Sequence, residues 1–91
     1  MQTLHVAFLI FDLRDEATFN AGHIKGAFNL PAENFLSKVE TVIPSKETPV
    51  VLYDGDGVQA AAIVAEADKL GFLNFVNLEG GYRAYVALFP T

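Results

Sequence analysis

The chain has 91 residues, of which 52% are hydrophobic and 19% charged, with a formal net charge of −5 and no cysteine. That length makes one small domain, and its apolar content is far from that of a disordered chain. The acidic balance leaves no basic stripe to neutralise phosphates, which argues against nucleic acid and anionic membrane and is compatible with a basic partner surface. Absence of cysteine removes disulfides, thiolate metal sites and any thiol nucleophile. The apolar run Leu4 to Phe11 is interrupted by His5, has no basic leader and stops at Asp12, too short to span a bilayer, so a cytoplasmic protein is expected.

Val6 to Leu13 reads as a strand buried on both faces, closed by the charged cluster Asp12, Arg14, Asp15, Glu16. Asp15 is placed to cap a short helix running to Asn20, with Gly22 as a left-handed stop. Ala27 to Leu30 follows as a second strand, closed by Pro31. From Glu33 to Ile43 the apolar residues Phe35, Leu36, Val39, Val42 and Ile43 share one face of an amphipathic helix, which Pro44 ends. Pro49 then introduces the apolar strand Val50 to Tyr53, and a turn over Asp54 to Gly57 follows. The Ala-rich segment Val58 to Leu70 predicts a mostly buried helix with Gln59, Glu66 and Lys69 on its polar stripe and Gly71 beyond its end. A strand over Phe75 to Leu78, a Gly80-Gly81 turn and a helix from about Tyr82 complete the chain.

Strands alternating with helices imply an α/β domain with a mainly parallel sheet flanked by helices. Ligand sites in such sheets lie outside the carboxyl ends of the strands, which points to Asp54 through Gln59. This turn carries two glycines and opens a helix whose free N–H groups form an anion cradle.

These stretches resemble the rhodanese homology domain over nearly the whole chain. Asp12-Leu13-Arg14 is similar to the family's Asp-Val-Arg, and Gly22-His23-Ile24-Lys25-Gly26-Ala27 to its Gly-His-Ile-x-Gly-Ala, running into Asn29-Leu30-Pro31. Lys69-Leu70-Gly71-Phe72 and Asn77-Leu78-Glu79-Gly80-Gly81 resemble two later stretches, with Tyr85 where the family usually has Trp. The resemblance fails at the loop that in sulfurtransferring members opens Cys-x-x-Gly-x-Arg. Here it reads Asp54-Gly55-Asp56-Gly57-Val58-Gln59, so Gly57 is retained while Asp54 stands for the nucleophile and Gln59 for the arginine. A carboxylate cannot form a persulfide. Two aspartates also repel an anionic sulfur donor, by up to about 4 kcal/mol per pair at about 4 Å in an intermediate dielectric.

The expectation is therefore a rhodanese-like domain over residues 1–91, short at its N-terminal side, non-catalytic, with no cofactor and no metal. Its degenerate loop is expected to serve a protein partner or an attached domain. Family domains usually carry a strand and a helix before the Asp-x-Arg segment, and eleven residues precede Asp12 here, so a bare edge or face is a candidate site for homo-oligomerisation.

The same loop residues admit an enzymatic reading, because Val50 to Val58 also resembles the first motif of haloacid-dehalogenase-type phosphatases, with Asp54 as nucleophile and Asp56 as acid/base. The remaining residues leave little room for the further acids and lysine such enzymes need, and a purely structural domain with no ligand is the third reading. The plainer account is capping, in which an aspartate before Val58 accepts a backbone N–H, worth roughly 0.5–2 kcal/mol. A calcium loop is disfavoured by Val58 and Gln59. His5 and His23 have no metal-ligand spacing, and His23, Gly26, Glu79, Gly80 and Gly81 are expected to be structural. Asp12 and Arg14 point to one side of a strand, as an ion pair tying the strand end to the loops would require. Phe72, Phe75, Tyr82, Tyr85 and Phe89 are expected mostly in the core, with a few exposed for docking.

Overall fold

A computed structural model describes residues 8–89. They run β1 (Leu9–Asp12), α1 (Glu16–Ala21), β2 (Phe28–Asn29), α2 (Ala32–Val42), β3 (Val50–Tyr53), α3 (Val58–Lys69), β4 (Phe75–Asn77) and α4 (Gly81–Leu88). The strands form one sheet in the order β2-β1-β3-β4, with every pairing parallel. Leaving β1, the chain pairs first on one side, with β2, and later on the other, with β3. The switch point of this sheet therefore lies between the carboxyl ends of β1 and β3.

Side-chain alternation divides the sheet into two faces. Leu9, Phe11, Val50, Leu52 and Phe75 lie on one by register, and α2 and α3 cover it with Phe35, Val39, Ala60 and Ala67. Phe35 is fully buried and meets Phe11 and Phe75 edge-on, with ring centroids 5.7 and 6.1 Å apart. The other face carries Ile10, Asp12, Val51, Tyr53 and Val76. Tyr82 of α4 and the segment after α1 cover its upper end, through a Tyr53–Tyr82 ring pair at 6.1 Å and a hydrogen bond from the Ile24 amide to the Tyr53 hydroxyl.

Several elements differ from the sequence expectation. The first strand begins at Leu9 and ends at Asp12; Val6 and Ala7, expected within it, lie outside the described residues, as does His5. Leu13 leaves the strand but stays buried, its amide bonded to the Tyr53 carbonyl at 2.8 Å. The second strand contracts to Phe28–Asn29. Gly22 is not left-handed: its φ of 166° is extended backbone, and its carbonyl accepts from Arg14 Nη2 at 2.7 Å, which draws the chain back toward β1.

α3 is the largest departure. The sequence predicts a mostly buried helix, yet only Ala60 and Ala67 are buried, with Ile63 and Val64 partly so, because one face packs and the alanines at 61, 62 and 65 face outward. Its end does follow expectation, since left-handed Gly71 closes a Schellman motif in which the Phe72 amide bonds the Ala67 carbonyl and the Gly71 amide that of Asp68.

Candidate functional site

The carboxyl end of β1 supplies a buried ion pair. Asp12 is fully buried and accepts from the Arg14 amide at 2.8 Å and from Arg14 Nε and Nη2 at 3.0 and 2.6 Å. The guanidinium also donates to the Gly22 carbonyl and lies 4.1 Å from the centroid of the Tyr82 ring. The hydrogen bonds to Asp12 hold Arg14 above its ordinary pKa, so it stays a fixed cation. Asn29 completes the knot by donating to the Asp12 and Arg14 carbonyls. Tyr53 is buried beside this group, and burial pushes its phenol well above the ordinary value. The expected Asp12–Arg14 pair is thus present, and it belongs to a network with Tyr53, Tyr82, Asn29 and the Gly22 carbonyl. The rest of that network is not visible in the sequence, where the one signal is Tyr53, whose hydroxyl at the end of an apolar strand must find a partner.

β3 delivers the Asp54–Gln59 loop beside it. Asp54 is buried, and its carboxylate accepts the Gly57 amide at 2.6 Å through Oδ1 and the Gln59 amide at 2.9 Å through Oδ2. Exposed Asp56 accepts the Val58 amide at 3.0 Å. Gly57, at φ 92°, is the helix N-cap and contributes no side-chain bond. Capping therefore comes chiefly from Asp54, reaching in from below, and the expected anion cradle is filled by the chain's own carboxylate. The loop's carbonyls are held from the opposite side. The Tyr82 amide bonds the Asp54 carbonyl at 2.8 Å and the Arg83 amide the Gly55 carbonyl at 3.0 Å. This approach requires glycine at position 81, where a Cβ would sit 2.5 Å from the Asp54 carbonyl oxygen.

Between the two groups lies an open polar pocket of about 420 Å³ lined by Leu13, Arg14, Asp15, Thr18, Pro31, Ala32, Glu33 and Gln59. α1, α2 and α3 all begin around it, and each start carries its own acid: Asp15 caps α1 through the Thr18 amide, Glu33 sits in the first turn of α2, and Asp54 holds α3. That amide hydrogen bond lowers the Asp15 pKa.

The remaining expected residues are scattered. His23 stacks on Phe19 at 3.7 Å and bonds its carbonyl through Nδ1; Gly26 is a left-handed turn residue; Glu79 is exposed; Gly80 and Gly81 open α4. Phe72 and Phe75 are buried, Tyr82 and Tyr85 half-buried, and Phe89 exposed. Among the described residues no three His, Asp or Glu side chains converge to hold a metal ion, and no helix is long and apolar enough to cross a membrane.

The model of the family described as the rhodanese-like domain matches residues 1–88. The chain belongs to the rhodanese-like family. This rhodanese-like domain is 39% identical over 76 residues to the thiosulfate sulfurtransferase GlpE of Shewanella oneidensis, covering 84% of this chain and 73% of that protein. It is 34% identical over 78 residues to the uncharacterized protein YibN of Escherichia coli, covering 85% of this chain and 54% of that one. Among solved structures, the rhodanese-like domain of the Alr3790 protein from Anabaena superposes with a TM-score of 0.85 at 30% identity, covering 97% of this chain and 82% of that one. The catalytic cysteine of a sulfurtransferring rhodanese is absent from this domain, which contains no cysteine at all.

Proposed function

We propose that this rhodanese-like domain is a non-catalytic module whose loop surface recognises a protein partner or regulates an attached domain. The observation that carries this reading is the Asp54 carboxylate, buried and bonded to the Gly57 and Gln59 amides. Those donors are the groups an anionic substrate would need, and an internal carboxylate at hydrogen-bonding distance competes for them at high effective concentration. A phosphatase role for Asp54 is disfavoured by the same contacts, since both carboxylate oxygens already serve as acceptors within the loop. The cytoplasm is the compartment that an acidic chain without disulfides suits.

The test has two arms. Incubated with thiosulfate and cyanide, the domain gives no thiocyanate above the buffer level. A photo-crosslinker at exposed Val58, beside the loop, gives a discrete protein adduct in the host extract, while the same group at exposed Leu73, remote from the loop, does not. Sulfur transfer, or adducts from Leu73 alone, overturns the reading.

A further inference from the structure

Resting on that reading, we propose that the pocket between Arg14, Asp15, Thr18, Glu33 and Gln59 receives a lysine or arginine side chain projecting from the protein partner. The pocket opens above the carboxyl ends of β1 and β2, with Gln59 of α3 on the side toward the switch point between β1 and β3, and its volume of about 420 Å³ is ample for the end of one long side chain.

Charge decides what kind of side chain fits. Arg14, the cation on the wall, is spent on Asp12 and the Gly22 carbonyl, and its side chain is only 13% exposed. The three helix starts around the pocket supply about half a positive charge each at most. Against them stand the carboxylates of Asp15 and Glu33 at the pocket itself and those of Asp54 and Asp56 in the adjoining loop. The sum is negative, on a chain whose net charge is already −5. The acceptors are of the right kind for an ammonium or guanidinium: Glu33 is exposed, Asp15 is exposed and uses Oδ1 to cap α1, which leaves Oδ2 for a ligand, and Gln59 offers an amide carbonyl where the family's sulfurtransferring members are expected to carry a cation. An anion would meet no free donor cation in this pocket.

The probe is the blocked tripeptide Ala-Arg-Ala, titrated into the ¹⁵N-labelled domain at low salt, with Ala-Gln-Ala as its neutral control. Shifts centred on the Asp15, Thr18, Glu33 and Gln59 amides with the arginine peptide, and absent with the control, are the expected result. Asp15→Asn, which keeps an N-cap residue, and Glu33→Gln should each weaken binding about two- to five-fold. Shifts spread over remote acids such as Glu40 and Glu66, or affinities unchanged in both variants, would overturn the inference. A parallel titration with thiosulfate separates the two claims. If thiosulfate moves the Gly57 and Gln59 amides, the module reading itself falls. Silence from both thiosulfate and the arginine peptide removes only the basic-side-chain pocket.

Discussion

The two faces of the sheet are built on different physics. On one, Leu52 and Phe35 are fully buried in a continuous apolar layer between the sheet and the α2/α3 pair. On the other, the buried groups are Asp12 and Tyr53, held by directional bonds at the carboxyl end, while toward the β4 edge Val76 is 57% exposed. The comparison teaches that apolar packing and directional polar bonding are segregated. The apolar face supplies the continuous core, and the polar end of the other face holds the loops in register around the pocket.

Breaking the apolar face should have the largest effect. Phe35→Ala removes the ring that bridges Phe11 and Phe75 and should destabilise by about 3–5 kcal/mol, a fall in melting temperature of more than about 10 °C. A loss below about 1 kcal/mol in chemical denaturation would mean that the two faces are not segregated as described. Next, Asp12→Ala strands the Arg14 guanidinium beside the sheet and should lose about 3 kcal/mol. Adding Arg14→Met to that variant should recover part of the loss, and a further loss of similar size would show the pair to be no unit.

Asp54→Ala comes third, leaving the Gly57 and Gln59 amides without their acceptor, and should lower stability by about 0.5–2 kcal/mol. A rise in melting temperature would instead mean that repulsion with Asp56 dominates. The smallest effect is reserved for Val76→Thr, which should change stability by less than about 0.5 kcal/mol because the side chain already faces solvent. A large loss there would reveal packing on the second face that its exposure does not suggest.

What the sequence made legible was mostly the apolar face. Val50–Tyr53 is a strand with the expected bounds because Pro49 and Asp54 fence an uninterrupted apolar run, and α2 lies within one residue of its periodic pattern. The burial of α3 is not legible, because alanine reads the same on a buried and an exposed face and an Ala-rich helix offers little contrast for periodicity to use. Asp12 with Arg14 could be read locally, being two residues apart. Tyr53, Tyr82, Asn29 and the Gly22 carbonyl come from distant parts of the chain, and only parallel pairing brings them together. In the same way, capping is legible in the loop, but the reach of Asp54 to both Gly57 and Gln59 depends on the left-handed turn at Gly57.

The double grip on the Asp54–Gln59 loop also sets how it moves. Its amides at 57 and 59 are tied to the Asp54 side chain, and its carbonyls at 54 and 55 to the first turn of α4. Opening one set disturbs the other through a single residue, so hydrogen exchange at Gly57, Gln59, Tyr82 and Arg83 should follow one cooperative opening and not four independent ones. Loop and terminal helix thus form one exchange unit, and a partner that slows exchange on the loop will slow it in α4 without touching that helix.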